Sequence, residues 1–288
     1  MSATAAVEQA SALSIEQVER RVQNENNRKR KRERRSEVLF PILVTAGLLI
    51  AWEVATDFFK VPTYLFPAPS QIFAACRDNA SLLIRESWVT TVEILLGYLL
   101  SIAIGIPLAL GIFHWPVFAK SIYPLLISTQ AMPKVAVAPL FVVWFGFGLL
   151  PKVLIAFLIA FFPIVINTGL GGIEQEKIFL ARSMGLSSYR TFRLIRLPNA
   201  LPSIFAGLKI SITLAVVGAV VGEFVGGDAG LGYQLMIANG NLNTPLLFAG
   251  VMALTVLGLL LFGVVEFLER LAMPHCDRVS GNIGSGTM

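Results

Sequence analysis

The stretch EKIFLARSMGLSSYRTFRLIRLP, residues Glu176–Pro198, lies between two long apolar runs and departs from their pattern. Gly185 favours a helix end, because glycine adopts a left-handed backbone at little cost. Pro198 favours the first turn of a new helix, where its missing amide proton is not needed. The arginines between them are spaced three apart, which places them on one helix face: Arg190, Arg193 and Arg196. The stretch therefore predicts a helix–turn–helix with a short helix between Gly185 and Pro198.

The composition around this stretch is that of a membrane protein. Of the 288 residues, 55% are hydrophobic and 14% are charged, and the mean hydropathy is +0.72. Charged residues make up about a quarter of an ordinary soluble domain. The net charge of +5 comes from basic residues confined to the segments between apolar runs, which indicates a topology signal and argues against nucleic-acid binding. The cysteines, Cys76 and Cys276, and the histidines, His114 and His275, form no metal-ligand pattern.

The apolar runs predict an all-α integral membrane protein with six transmembrane helices. A hydrocarbon core of about 30 Å takes about 20 helical residues, and helices satisfy their own backbone in lipid. The first span is predicted at residues 38–56, which is too long for a signal peptide. The others are predicted near Trp88–Phe113, Ser121–Phe145, Val153–Gly171, Leu201–Val225 and Leu246–Leu268.

Basic residues predict the orientation of these spans, because they are enriched on the cytoplasmic side. A disordered basic tail, residues 1–37, and the C-terminal tail, residues 273–288, are both expected in the cytoplasm. Residues 57–87 are expected outside, with an interfacial helix around Ser70–Ile84. The run Arg28–Arg35 either anchors this topology or forms a patch for anionic lipid or a partner.

The Glu176–Pro198 stretch also resembles a known signature. In the "EAA" motif of ABC importer permeases, a glycine is followed after nine residues by Ile-x-Leu-Pro. Gly185, Ile195, Leu197 and Pro198 meet this spacing, and Ala181 matches the motif's alanine, whereas Phe179 and Leu180 depart from its front. Two further stretches, Met132–Gly148 and Gly222–Gly232, resemble the nitrate, sulfonate, taurine and bicarbonate branch of these permeases.

The resemblance, which runs from about Trp88 to Leu268, implies a type I ABC importer permease fold with its core at residues 88–272. It implies that a coupling helix at about residues 176–198 docks on an ATPase subunit. The coupling residues implied are Ala181, Met184, Gly185, Leu186, Ile195, Leu197 and Pro198. Residue chemistry alone leaves another interpretation open, an interfacial helix whose arginines reach lipid headgroups.

The resemblance further implies partners and a solute. A second copy of the chain, two cytosolic ABC ATPase subunits and a periplasmic or lipid-anchored solute-binding protein are expected, and ATP and Mg²⁺ are expected on the ATPase. The sequence contains no G-x-x-x-x-G-K-[ST] phosphate loop, so the chain is expected to be a non-enzymatic subunit. The branch implies a small, anionic solute, such as nitrate, a sulfonate, taurine, bicarbonate or an organic acid.

Polar side chains inside apolar spans are costly and therefore mark candidate functional positions. Four are candidates for the translocation pathway or a gate: Gln130, Lys134, Asn167 and Glu223. Lys134 either faces the pathway, where it would favour an anion, or pairs with a carboxylate. Glu223, before a glycine-rich turn, is either part of an outer gate or a structural hydrogen-bonded residue. Glu93 is interpreted as a helix-packing residue, and Thr90 and Thr91 are expected to bond within their own helix.

Two other classes of protein remain as alternatives on sequence. A secondary transporter or channel working without an ATPase fits the composition but leaves the Gly185-to-Pro198 spacing unexplained. An intramembrane enzyme would need a nucleophile and a partnered base at membrane depth, and neither histidine lies in such a setting.

Overall fold

The computed structural model describes residues 40–170 and 183–273, and all regular secondary structure within these ranges is helical. The helices are α1 (Phe40–Phe58), α2 (Pro69–Asp78), α3 (Ala80–His114), α4 (Pro116–Ala131), α5 (Lys134–Phe145), α6 (Leu149–Leu170), α7 (Ser188–Thr191), α8 (Leu197–Gly226), α9 (Leu231–Gly240) and α10 (Thr244–Ala272). A π-helical turn, Phe192–Arg196, joins α7 to α8. The predicted tails, residues 1–37 and 273–288 except Met273, lie outside the described residues.

Five helices in the described ranges are long and apolar enough to cross a membrane, namely α1, α3, α6, α8 and α10. This confirms the all-α membrane fold. The predicted third span, Ser121–Phe145, is two helices, because α4 and α5 meet at an angle of 94°. Met132 is extended at the break, with φ −74° and ψ 130°. Pro133 accounts for this, since a proline disfavours helical backbone in the residue before it. The described helices make six spans only if α4 and α5 together cross the membrane once.

The helices α2 and α3 differ in how well the sequence indicated them. The short helix α2 falls in the segment for which an interfacial helix was predicted. The next helix, α3, begins at Ala80, ahead of the predicted Trp88, and runs as a single helix past Pro107. Glu86, Thr90 and Thr91 therefore all lie within the first half of α3.

The chain divides into two compact units, and the first ends at Ser70. Within it, the indole of Trp52 stacks on Phe66 with ring centroids 4.8 Å apart. The carboxylate of Glu53 accepts hydrogen bonds from the amide and hydroxyl of Ser70, at 3.0 and 2.6 Å. These bonds satisfy a free amide in the first turn of α2.

The second unit, from Gln71 onward, is organised around α6. This helix packs most extensively against α8 and α3, and 61% of its apolar window is buried, compared with 17% for α10. The main core lies where α3, α6, α8 and α10 meet, with these buried residues: Ile94, Tyr98, Ala156, Ala160, Ile212, Ala215, Ala219 and Val265. The bundle is thus held by small and β-branched side chains around one central helix.

Ala156 is the point at which two neighbours approach α6 most closely. A Cβ atom on Gly97 of α3 would lie 2.6 Å from the Cβ atom of Ala156, and one on Gly218 of α8 would lie 2.6 Å from its Cα atom. Neither position has room for a side chain. Small residues in this arrangement allow backbones to pack closely in membranes, where van der Waals contact replaces the hydrophobic drive.

We expect Gly218→Ala to lower the thermal unfolding midpoint of the purified chain in detergent. The added methyl group would press on the backbone of Ala156, and overpacking of this kind costs about 1–3 kcal/mol. Gly263→Ala in α10 is the matched control, because a Cβ atom there meets nothing within 4 Å. Equal unfolding midpoints for the two variants would contradict the close approach at Ala156.

Candidate functional site

A buried polar cluster occupies the end of the bundle where α3 and α6 begin and α8 ends. It comprises Glu86, Thr90 and Glu93 of α3, Lys152 of α6, Glu223 of α8 and the segment Asp228–Gly232. We call this set the polar cluster. It brings charged groups together inside a bundle whose surroundings are apolar, which is the setting where polar groups in membrane proteins most often serve function.

Lys152 is the centre of the polar cluster. Its side chain is only 2% exposed, and its ammonium donates to three acceptors. Glu93 Oε1 lies 2.9 Å from Lys152 Nζ, while Asp228 Oδ1 and the carbonyl oxygen of Ala229 each lie at 3.1 Å. A buried ammonium is tolerated only when paired and hydrogen-bonded, and here all three of its protons have acceptors. Lys152 therefore ties α6 to α3 and to the turn after α8.

Glu223 is fully buried and joins α8 to the start of α9. Its Oε1 atom lies 2.6 Å from the hydroxyl of Thr90, and its Oε2 atom accepts from the amide of Gly232. The Thr90 oxygen also accepts from the amide of Leu231 at 2.8 Å. Thr90 thus bridges a carboxylate and a backbone amide, and its single hydroxyl proton is shared between Glu223 and the backbone carbonyl oxygen of Glu86, which lies 3.1 Å away in its own helix.

Glu86 completes the set of acceptors at the N-terminus of α9. Its Oε2 atom accepts from the amide of Gly230 at 2.7 Å, and its Oε1 atom pairs with the exposed Arg85 at the same distance. Three successive amides, those of Gly230, Leu231 and Gly232, are therefore bound by side chains of α3 and α8. A helix N-terminus carries unsatisfied donors and partial positive charge, so carboxylates are favourable there.

Gly230 is the backbone position that makes this arrangement possible. Its φ of +109° lies in the region that favours glycine, and a Cβ atom would fall 1.9 Å from Glu223 Oε1. The carboxylate of Glu223 therefore occupies the space that a side chain would fill.

Asp228 differs from the other acids of the polar cluster because its side chain is 73% exposed. It lies between α8 and α9, outside the membrane-spanning helices. The hydrogen bond from Lys152 is the largest cause that lowers the pKa of Asp228 below its ordinary value. Asp228 is accordingly ionised at neutral pH, and its contribution to stability is present there and is lost as the pH falls through the lowered pKa.

The four candidate pathway residues do not come together. Glu223 is in the polar cluster, whereas Lys134 lies at the start of α5 with Nζ 4.2 Å from the centroid of the Phe162 ring. Asn167 donates to the carbonyl of Pro163 at 2.8 Å in its own helix, and Gln130 is exposed near the end of α4. Lys134 thus lies against the second half of α6, which also contains Asn167, whereas the polar cluster lies at the first turn of α6.

Sequence reasoning missed Lys152 and Asp228 and underestimated Glu93. Lys152 was placed just outside the span predicted from Val153, so it was not considered as a buried charge. Glu93 does pack between helices, but as the ion-pair partner of Lys152. Thr90 and Thr91 make the expected bonds within α3. The available signal was that two carboxylates in apolar spans, Glu93 and Glu223, need a nearby cation.

The described part of the Glu176–Pro198 stretch shows the predicted break at Gly185 but none at Pro198, because the backbone is helical without interruption from Ser188 into α8. Gly185 has a φ of +77°, α8 begins at Leu197, and Pro198 lies in its first turn. Between them α7 is followed by the π-helical turn that contains Ile195. Met184 is exposed and Leu186 is half-buried. Ala181 and the front of the predicted coupling helix, residues 176–182, lie outside the described residues.

Comparison with known proteins assigns this architecture to a class. Residues 101–273 match the family described as "Binding-protein-dependent transport system inner membrane component". A probable ABC transporter permease protein of Haemophilus influenzae is 35% identical over 80% of this chain and 95% of its own length. The formylaminopyrimidine transport permease protein ThiX of Halalkalibacterium halodurans is 36% identical, over 83% of this chain and 96% of its own length.

A solved structure supports the same fold. The inward-facing MetNI methionine ABC transporter aligns with a TM-score of 0.57 and 20% identity, over 67% of this chain and 97% of the solved chain. The multi-helix membrane fold and the family match together define a membrane transport protein. The chain belongs to the binding-protein-dependent family of ABC importer permeases.

We expect Lys152→Met to destabilise the bundle, because it leaves Glu93 buried without its counter-charge. Removing one partner of a buried pair costs about 3–5 kcal/mol, whereas replacing both with apolar residues is often close to neutral. Thermal unfolding in detergent should therefore show a marked loss for Lys152→Met and a substantial recovery for Glu93→Leu/Lys152→Met. A double variant no more stable than Lys152→Met would contradict the pairing.

Proposed function

We propose that this chain is the membrane subunit of an importer for a small anionic solute, powered by a separate ATPase. It would act as a homodimer in the bacterial inner membrane with both termini in the cytoplasm. A solute-binding protein would deliver the solute, and ATP and Mg²⁺ would bind the ATPase. The observation that carries the proposal is the family match over residues 101–273, in a sequence without a phosphate loop.

The proposed site of coupling is the segment from Ala181 to Pro198. Gly185 interrupts the helical backbone, and the π-helical turn leads directly into α8, whose other end carries Glu223. A push on this segment would therefore be transmitted along one continuous helix to the polar cluster. Closure of the ATPase dimer would move the coupling segments and shift the conduit between its two open states.

An anionic solute is the narrower part of the proposal. Lys134 is half-buried at the 94° break between α4 and α5, within an apolar run of the sequence, and an exposed cation there would favour an anion. Two relatives are named for sulfonated solutes: the aliphatic sulfonates permease SsuC of Bacillus subtilis, 31% identical, and the taurine permease TauC of Escherichia coli, 26% identical. Gln130, Asn167 and Glu223 are proposed as further pathway or gate residues.

Gly185→Val tests the coupling. The left-handed backbone at Gly185 strains any other residue by roughly 1–2 kcal/mol, too little to unfold the chain but enough to rearrange an exposed turn. We expect the variant to insert normally and to lose most of the ATPase that co-purifies with the tagged wild type. Gly146→Val is the matched control, with φ of +78° and open space but a position in the turn between α5 and α6. Normal ATPase recovery and uptake with Gly185→Val would remove this segment from the coupling.

Lys134→Glu tests the solute charge. Reversing the charge should reduce uptake of a sulfonate or carboxylate roughly tenfold or more, which corresponds to about 1.4 kcal/mol. Uptake is measured with the assembled transporter and a solute that its binding protein accepts. Lys120→Glu changes the net charge identically at an exposed position of α4 and should leave uptake near the wild-type value. Equal uptake by both variants would exclude Lys134 from the pathway.

A further inference from the structure

The partners of Lys152 differ in how firmly they are held. The side chain of Glu93 is 1% exposed and packed inside the bundle. If its carboxylate moved away from Lys152, it would remain buried without a counter-charge. The side chain of Asp228 is 73% exposed, although it bonds to the same ammonium. Its carboxylate can rotate into water and be solvated there, whereas the buried ammonium then lacks one of its three acceptors.

The backbone beside Asp228 is anchored independently of this ion pair. Glu86, Thr90 and Glu223 bind the amides of Gly230, Leu231 and Gly232. Departure of the Asp228 side chain therefore leaves the start of α9 in place. What remains is a buried ammonium with one free donor direction, facing the side from which Asp228 came.

We propose that Lys152 forms an anion subsite that accepts a small carboxylate or sulfonate in place of the Asp228 side chain. Asp228 is then an internal competitor that fills the subsite when no external anion is bound. An ammonium with one position available to water binds monovalent oxyanions by a charge-assisted hydrogen bond. The carboxylate of Glu93 limits the subsite to ligands with a single negative charge, because it would repel a second negative charge on the ligand.

The ligand class of this subsite is that of the solute in the proposed function. The identity of its physiological ligand therefore rests on the proposed function. Its location is distinct from Lys134, which contacts Phe162 in the second half of α6. An incoming anion would meet Lys152 first if the polar cluster faces outside, as the predicted topology has it. Its binding can be measured without ATP, a binding protein or uptake.

The test is chemical rescue of Asp228→Ala in the purified chain, measured as the thermal unfolding midpoint in detergent. Removal of the carboxylate should lower the midpoint, and sodium formate or sodium methanesulfonate should restore it in a saturable manner. Formamide, which is neutral and similar in size to formate, should not restore it, and sodium chloride controls for ionic strength. The wild type should respond little, because Asp228 occupies the subsite.

Two further variants make the result decisive. Glu93→Leu/Lys152→Met/Asp228→Ala lacks the ammonium and should show no rescue by either anion. Asp228→Asn keeps the shape of the side chain, so it should be destabilised less than Asp228→Ala and be rescued weakly, because its amide fills the space. Rescue that is equal with and without Lys152, or an Asp228→Ala midpoint that anions do not raise, would overturn the subsite. A failure of anion uptake by the whole transporter would instead count against the proposed function and leave this binding result standing.

Discussion

One buried ammonium, that of Lys152, constrains how three parts of the bundle are arranged. In a bundle built from apolar helices, a lysine that is 2% exposed must find acceptors inside the protein. It finds them on α3 and on the turn after α8, so three separate parts of the chain must keep one register. The close contacts of Gly97 and Gly218 with Ala156, one turn further along α6, hold the same three helices at the distance this pairing needs.

The sequence predicted the features that depend on local composition. Long apolar runs identified the membrane helices, and Gly185 marked a backbone break that the structure shows, whereas the boundary predicted at Pro198 was wrong because a π-helical turn continues the helix into α8. The 94° break between α4 and α5 was not predicted, because hydropathy does not reveal a change of direction inside one apolar run. Pro133 was visible, but prolines occur in unbroken membrane helices as well, as Pro107 does in α3.

The polar cluster was beyond sequence reasoning for a different reason. Lys152 is 59 residues from Glu93 and 76 from Asp228 in the chain, and only the packing of α3, α6 and α8 brings them together. Glu223 was recognised as a candidate because it interrupts an apolar span, but its partners, Thr90 and Gly232, gave no separate signal. The role proposed for the coupling segment rests on family resemblance, that of the pathway residues rests on their polarity within apolar spans, and both stay predictions.

Relatives of this chain are named for solutes as different as formylaminopyrimidine, riboflavin and sulfonates, so the permease fold by itself does not define a solute. In the proposed function, the chain is a conduit that depends on an energy source in another subunit. Uptake into proteoliposomes tests this most directly, with the chain alone and with its ATPase and binding protein. We predict uptake only in the complete assembly and only with ATP. Solute accumulation by the chain alone, without an ATPase, would contradict it.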